Sequence, residues 1–183
     1  MKRIFDALFS FFGLVFLSPI LIVLMIIGFF DTGSPIFLQE RVGKGMQPFR
    51  LMKFRSMHVN APSVATHLAN ASSITPFGSF LRKSKLDELP QLWNVFIGDM
   101  SLVGPRPNLF NQEELIEERY SRGVYSVRPG ITGLAQINKI DMSTPKLLAE
   151  TDAKMIQNLN VLSYFKYIFL TVFGKGFGDR IKN

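Results

Sequence analysis

The sequence predicts a mainly helical α+β protein that sits on a membrane, and three observations lead to that class. An uncharged apolar segment interrupted by Ser18-Pro19 lies near the N-terminus. Two short runs of strand-forming residues joined by a glycine-containing turn predict one β-hairpin. Helical patterns fill most of the remainder, and the aromatic one at residues 159–173 is typical of an amphipathic helix at a membrane interface.

Composition and charge narrow the classes of partner. The 183 residues suffice for one domain with a hydrophobic core, and 47% of them are hydrophobic. The formal net charge of +7 points to anionic partners such as phospholipid, a phosphorylated substrate or nucleic acid. Nucleic acid is not expected, because the sequence has no zinc-finger spacing and no RNP-type aromatic motif. The absence of Cys excludes disulfides and thiolate chemistry, and it fits a protein of the cytoplasmic face.

The apolar segment from Ala7 to Phe30 would reach about 36 Å as a continuous helix, enough to cross a bilayer. Pro19 in its middle removes a backbone donor. Basic residues flank the segment on both sides: Lys2, Arg3, Arg41, Lys44, Arg50, Lys53 and Arg55. Because the positive-inside rule places both flanks in the cytoplasm, we predict that residues 1–33 form a re-entrant hairpin in one leaflet, broken at Ser18-Pro19. A Pro-kinked spanning helix is the alternative.

Residues 34–183 are predicted to form a second unit, and it begins with the β-hairpin. Segments 36–39 and 49–57 predict strands, joined by a turn at Val42-Gly43-Lys44-Gly45. Basic residues within the second strand form either a cationic surface near the membrane or ordinary solvated charge. A loop or weak helix over 65–71 should follow, and His58 and His67 lack the spacing of metal ligands.

Asp87 and Glu88 are the first candidates for chemistry. They are adjacent carboxylates at the predicted start of a helix, and three basic residues precede them. Cations keep a carboxylate ionised, so that it can act as a nucleophile or a metal ligand, and a helix N-terminus attracts phosphate. The pattern therefore suits phosphoryl transfer. It also matches a capping box with Ser84 at the N-cap, in which case the two acids would only stabilise the helix.

Two Arg-Pro sequences follow the carboxylates. Arg106 lies between two prolines, which fix the backbone, and a guanidinium held in place suits a phosphate. An ordinary exposed turn is the alternative. Arg128 precedes Pro129-Gly130, where glycines allow backbone N–H groups to approach a ligand. The sequence contains no Walker A or G-x-G-x-x-G motif, so a standard nucleotide-binding fold is not predicted.

Further helices are predicted toward the C-terminus. An acidic helix over 111–120 should be solvated, and a second helix begins at Thr144-Pro145 and contains Asp152. The aromatic helix over 159–173 lies either at the membrane interface or in the core. The glycine-rich stretch 174–178 is predicted to be a loop.

Taken together and in order, these motifs resemble the small monotopic phosphoglycosyl transferases, bacterial sugar transferases that start glycan assembly on polyprenol phosphate. The similarity covers almost the whole chain. It rests on Lys2-Arg3-Ile4-Phe5-Asp6, Ser18-Pro19, Gln39-Glu40-Arg41-Val42-Gly43, Lys53-Phe54-Arg55-Ser56-Met57, Leu86-Asp87-Glu88-Leu89-Pro90-Gln91-Leu92, Gly98-Asp99-Met100-Ser101, Val103-Gly104-Pro105-Arg106-Pro107 and Arg128-Pro129-Gly130-Ile131-Thr132-Gly133.

The resemblance implies an enzyme of the bacterial inner membrane, at its cytoplasmic face. A UDP-sugar enters with Mg²⁺, and Asp87 attacks its β-phosphate and releases UMP. Polyprenol phosphate then attacks the phosphosugar–Asp intermediate. Asp87 would also contact Mg²⁺, and Glu88 would assist proton transfer or position the acceptor. Four positions resemble substrate-binding or near-site residues of the family: Arg106, Arg128, Arg82 and Asp152.

The resemblance leaves the donor sugar and the oligomeric state open. The small form more often takes N-acetylated amino sugars, so a donor of that kind is expected. Many relatives continue with Gly and Arg after Ala135-Gln136-Ile137-Asn138, whereas Lys139-Ile140-Asp141 follow here. A homodimer is open as well. The rival interpretation is a non-catalytic, membrane-anchored binding module for anionic lipid or a glycan-assembly partner.

Overall fold

The computed structural model describes residues 2–61 and 71–173. Its helices and strands follow in chain order: α1 (Lys2–Thr32), β1 (Ile36–Val42), β2 (Pro48–Phe54), α2 (Pro76–Ser84), α3 (Gln91–Ile97), β3 (Ser101–Val103), α4 (Glu113–Ser121), β4 (Gly130–Thr132), α5 (Leu134–Ile137), α6 (Pro145–Asn158) and α7 (Val161–Val172). The mainly helical α+β class is confirmed. His67, the weak helix predicted to begin at residue 65 and the stretch 174–178 lie outside the described residues.

Helix α1 is a single uninterrupted helix with Pro19 inside it. The predicted break at Ser18-Pro19 is not confirmed, because the helical backbone continues through Pro19. Proline removes one helical hydrogen bond, but the other backbone bonds of an apolar helix remain, and the Ser18 hydroxyl donates to the Val15 carbonyl at 2.7 Å. Most of the helix surface is exposed and apolar; Phe30, for example, is 84% exposed. By length and composition α1 could cross a membrane.

One face of α1 packs against the rest of the described chain. Near its start, the buried Asp6 carboxylate accepts hydrogen bonds from the Leu102 N–H at 2.8 Å and the Tyr164 hydroxyl at 2.7 Å. Farther along, Leu24 lies in a buried cluster with Phe54 and Leu81. At the other end, the Thr75 hydroxyl donates to Asp31 at 2.7 Å. The helix is thus held at both ends.

The predicted β-hairpin is confirmed. Strands β1 and β2 pair antiparallel from Ile36 opposite Phe54 to Val42 opposite Pro48, and a short 3₁₀ turn at Lys44–Met46 joins them. The first strand is longer than predicted. Leu51 on β2 is buried with Val95 and Met100, so the hairpin packs against α3 and the segment after it.

A second sheet was not predicted from the sequence. Strands β3 and β4 pair in parallel, and each has only three residues. A Cβ on Gly130 would lie 2.0 Å from the Gly104 nitrogen, so the close approach of the two chain segments requires glycine. The segment that leads to Arg106 also contacts the start of β4, since the Pro105 carbonyl accepts a hydrogen bond from the Gly130 N–H at 2.8 Å.

Candidate active site

Asp87 and Glu88 lie in a 3₁₀ turn between α2 and α3, and both are buried, at 3% and 8% exposure. The capping-box interpretation is wrong. Ser84 ends α2 instead of starting a helix, and its hydroxyl donates backward to the Phe80 carbonyl at 2.8 Å. Lys85 then takes a left-handed conformation with φ of 59°, which stops α2. The two carboxylates are therefore buried in a turn, not displayed in the first turn of a helix.

Leucines on either side of the two carboxylates fix this turn to the apolar helix. Leu86 and Leu89 pack against the buried cluster of Leu24, Phe54 and Leu81. Burial of a leucine side chain contributes roughly 1.5–3 kcal/mol. The turn that carries the two carboxylates is thus seated directly on α1, a few residues beyond Pro19.

Glu88 is paired with two cations from different parts of the chain. One of its oxygens lies 2.7 Å from an Arg106 nitrogen and 3.9 Å from the Lys53 ammonium, and all three side chains are largely buried. Removing one partner of a buried ion pair is costly, on the order of 3–5 kcal/mol, because it leaves a charge without compensation. The arrangement ties together the carboxylate turn, strand β2 and the Arg106 loop.

A small open cleft adjoins this ion pair. Three of its lining side chains are cationic, and no carboxylate is among the described residues that line it. The lining consists of Arg41, Leu51, Lys53, Gln91, Arg106, Pro107 and Gly130. Clustered guanidinium and ammonium groups suit a multiply charged anion such as a diphosphate. Glu88 is joined to the cleft through Arg106 and Lys53.

Three of these cleft residues, Arg41, Lys53 and Gln91, were not predicted to be site residues. Arg41 and Lys53 are only 5% and 7% exposed, although charges on a hairpin strand were also compatible with a solvated surface. Arg41 donates to the Gln39 side chain and to the Pro107 carbonyl, the latter at 3.1 Å. The available signal was their membership of the two hairpin motifs in the family resemblance. Gln91, the first residue of α3, belongs to the same family motif as Asp87 and Glu88 and carried a similar signal.

Two other predicted site residues, Arg82 and Arg128, are bonded to neighbouring segments of the chain. Arg82, in the last turn of α2, donates to the Ser56 hydroxyl at 2.8 Å, and its buried Nη1 has no hydrogen-bond partner among the described residues. Arg128 donates to the Gly98 carbonyl at 2.6 Å, just past the end of α3. Arg128 does not line the cleft. Its predicted phosphate contact stays a prediction.

Asp152 is fully buried in α6 and away from the cleft lining. One of its oxygens lies 2.7 Å from a nitrogen of Arg119, which is 1% exposed. Burial raises the pKa of Asp152, and the Arg119 guanidinium acts in the opposite direction. The acidic helix that carries Arg119 was predicted to be solvated, so its buried ion pair with Asp152 was not predicted.

No group of three or more His, Cys, Asp or Glu side chains that could hold a metal ion occurs in the described residues. Mg²⁺ does not require such a group, because it is commonly bound by one or two carboxylates together with substrate phosphates and water. Glu88, which is paired with two cations of the cleft, and the adjacent Asp87, which does not line the cleft, are the two carboxylates available for such binding. The residues present therefore fit this mode of Mg²⁺ binding.

Comparisons with known proteins agree with this chemistry. A family model described as "Bacterial sugar transferase" matches residues 1–176. A UDP-glucose:undecaprenyl-phosphate glucose-1-phosphate transferase of Klebsiella pneumoniae is 41% identical over 96% of the chain and 40% of its own length. A UDP-N-acetylgalactosamine-undecaprenyl-phosphate N-acetylgalactosaminephosphotransferase of Aeromonas hydrophila is 36% identical over 94% of the chain and 44% of its own length. The chain thus spans less than half of these relatives.

A similar protein of comparable length also exists. The exopolysaccharide production protein PSS of Rhizobium leguminosarum bv. phaseoli is 34% identical, and the match covers 97% of the chain and 98% of that protein. The region shared with the larger transferases therefore also occurs in a relative that has little else.

Proposed function

The chain belongs to the bacterial sugar transferase family, and from this premise we propose that it moves a sugar-1-phosphate from a UDP-sugar to polyprenol phosphate. The products are polyprenol-diphosphate-sugar and UMP, formed in the first membrane step of glycan assembly. The observation that carries this proposal is a turn with two buried carboxylates that packs on a long apolar helix and whose Glu88 pairs with two of the three cations of the cleft.

In the first step an Asp87 oxygen attacks the β-phosphorus of the UDP-sugar. A bond forms between that oxygen and phosphorus, the bond from phosphorus to the bridging oxygen breaks, and UMP leaves with the electron pair. A carboxylate is repelled by a diphosphate unless the phosphate charge is neutralised. Arg41, Lys53 and Arg106, which line the cleft, are placed to provide that neutralisation.

In the second step a phosphate oxygen of the polyprenol phosphate attacks the same phosphorus, and the bond to Asp87 breaks. This regenerates the carboxylate. Glu88 is the candidate for positioning the acceptor or for proton transfer, and its bonds to Arg106 and Lys53 hold it beside the reacting groups. Mg²⁺ would be held by Asp87 and would neutralise diphosphate charge when bound.

The two-part organisation extends the proposal to the membrane. Residues 1–33 would form the membrane part, and residues 34–183 the catalytic part at the cytoplasmic face of the bacterial inner membrane. A lipid acceptor cannot leave the bilayer, so its phosphate must meet a catalytic group at the interface. Leu24 of α1 belongs to the buried cluster on which the carboxylate turn packs, and Leu21 packs against the same cluster. The carboxylate turn therefore lies beside the apolar helix, as catalysis at the interface requires.

We further propose that α1 is re-entrant and enters one leaflet with both ends on the cytoplasmic side. Two contacts support this topology. At the first end Lys2 donates to the Leu159 carbonyl at 2.7 Å, and at the other end Thr75 donates to Asp31 at 2.7 Å. A straight spanning helix of 31 residues, roughly 46 Å long, would carry these polar contacts to opposite faces of the membrane. A bend at Pro19 would keep them on one side.

The donor sugar is proposed to be an N-acetylated amino sugar. The Aeromonas relative is named for such a donor, whereas the Klebsiella relative is named for glucose. The assay of function must therefore present both kinds of donor.

The test is an assay of purified protein in lipid nanodiscs with Mg²⁺, undecaprenyl phosphate and one UDP-sugar at a time. We expect UMP and a lipid-linked diphosphate sugar from one donor, with a loss of at least about 10³-fold in Asp87→Asn. Glu114→Gln, on an exposed position of α4, should keep full activity. Product without Asp87 would remove it as the nucleophile. No UMP from any donor would instead favour the membrane-anchored binding module.

A further inference from the structure

The loop that presents Arg106 is bonded at every residue. Four successive carbonyl groups each accept a hydrogen bond: Pro105 from the Gly130 N–H at 2.8 Å, Arg106 from the Arg119 side chain at 2.8 Å, Pro107 from the Arg41 side chain at 3.1 Å and Asn108 from the Val42 N–H at 2.9 Å. Prolines on both sides of Arg106 fix the backbone further. The Arg106 guanidinium, which pairs with Glu88, is therefore carried by a loop whose backbone is held by hydrogen bonds.

Arg119 makes the contact at the centre of this support. One of its terminal nitrogens donates both to the Arg106 carbonyl and, at 2.9 Å, to the side-chain oxygen of Asn108. Its other terminal nitrogen donates to Asp152 at 2.7 Å. Tyr125 donates to the same Asn108 oxygen at 3.1 Å. These side chains are buried, so the bonds are little weakened by water.

We infer that Arg119 is a positioning residue that sets the place of the Arg106 guanidinium in the cleft, with Asp152 as its counter-ion. The inference rests on the proposed function, because it concerns how fast Asp87 reacts with the donor. It also gives Asp152 a role different from the substrate contact expected from the family resemblance. Asp152 would act through Arg119 and the loop carbonyl, at a distance from the phosphates.

A guanidinium is needed for this role because its planar fork bonds three oxygens, two on the Arg106 loop and one on α6. A lysine at the same position would keep the charge beside Asp152, but one ammonium cannot hold the same fixed geometry. Arg119→Lys should therefore loosen the Arg106 loop while leaving the buried charge compensated. Misplacement of a group near the reacting atoms by about 1 Å can lower a rate roughly a hundredfold.

The test is rapid-quench measurement of UMP released from the accepted UDP-sugar with Mg²⁺ and without acceptor. The burst amplitude counts competent sites, and the burst rate constant reports reaction at each site. We expect Arg119→Lys to lower the rate constant about 10- to 100-fold with the amplitude unchanged. Arg122→Lys is the matched control, since Arg122 directly follows the same helix but pairs with Glu118 and Glu150 nearer the surface. It should stay within about twofold.

A double-mutant cycle with Arg106→Ala shows whether Arg119 acts through Arg106. In the Arg106→Ala background, Arg119→Lys should change the rate constant by less than about twofold. An undiminished effect in that background would overturn the inference, as would loss of amplitude with an unchanged rate constant. Because a lone lysine could disturb folding, Arg119→Met with Asp152→Leu is the second variant. It removes both charges together and should show the same loss of rate.

Failure of the proposed function gives a different result. If the wild-type protein releases no UMP with or without acceptor, the transferase is wrong, and the positioning role is then measured by calorimetric binding of UDP with Mg²⁺. Arg119→Lys should weaken UDP binding as Arg106→Ala does, while Arg122→Lys should not. Wild-type affinity in Arg119→Lys beside a loss in Arg106→Ala would overturn the inference.

Discussion

At the scale of single residues, Asp6 and Tyr164 connect the apolar helix to the rest of the molecule. The buried tyrosine donates to the buried carboxylate at 2.7 Å, and Ser101 donates to the same carboxylate. Burial raises the pKa of Tyr164, and the hydrogen bond to Asp6 raises it further. The tyrosine must therefore remain protonated for the native contact to persist.

This protonation makes stability fall in base. In the unfolded chain Tyr164 ionises near its ordinary pKa of 10.0, while in the folded protein it keeps its proton. Above about pH 10 the unfolded state thus binds fewer protons, so the free energy of unfolding decreases as the pH rises. Tyr164→Phe should lower stability at pH 7 by about 1.5–3 kcal/mol, because a hydrogen bond to a charged group is lost. It should also flatten the decline above pH 10.

Denaturant unfolding in detergent between pH 8 and 11 measures both effects. Tyr120→Phe, at a position 71% exposed, is the matched control and should follow the wild-type curve. Part of the decline should remain in Tyr164→Phe, because burial also raises the pKa of Tyr125. Equal slopes for the wild type and Tyr164→Phe would contradict the assignment.

The candidate site could be predicted from the sequence only where the residue types themselves were distinctive. Asp87, Glu88 and Arg106 stand in unusual local sequences, and the structure brings Glu88 and Arg106 together. Lys53 was ambiguous, because a strand lysine has the same local pattern whether it faces solvent or a buried carboxylate. Arg119 sits in an acidic helix, where surface ion pairs are the common outcome. Only the tertiary contacts distinguish these cases.

At the scale of elements, one of the two sheets could be predicted from the sequence and the other could not. Two runs of strand-forming residues and a glycine-containing turn predicted the hairpin, and it is present. Strands of three residues are too short to show a period, so β3 and β4 left no such signal. The length and apolar character of α1 could be predicted from the sequence. Whether the helix continues through Pro19 could not, because that depends on packing along the helix.

The topology of α1 is tested by labelling single cysteines in native vesicles, since the chain has no cysteine of its own. Lys2→Cys at the start of α1 and Glu40→Cys on β1, which follows α1, report the sides of the membrane on which the helix begins and ends. Glu114→Cys, at an exposed position of α4, marks the side of the catalytic part. We expect an impermeant reagent to reach all three from the cytoplasmic side. Labelling of position 2 from the opposite side would show a spanning helix instead.

At the scale of the whole molecule, the apolar helix and the carboxylate turn form one unit. Leucines flanking the turn pack on the cluster that includes Leu24, while Glu88 pairs with Arg106 and Lys53. One side of the site therefore adjoins the apolar helix, and the other adjoins the cationic cleft. Under the proposed function, the nucleotide sugar would approach from the side of the cleft and the lipid phosphate from the side of α1.

The central claim is that Asp87 becomes covalently bound to the sugar phosphate. The most direct measurement is intact-protein mass spectrometry after mixing purified protein with Mg²⁺ and each UDP-sugar, without acceptor. The account predicts a mass increase of one phosphosugar with one donor, located on Asp87, absent in Asp87→Asn and present in Glu114→Gln. No mass increase, together with UMP release only after polyprenol phosphate is added, would contradict the covalent step.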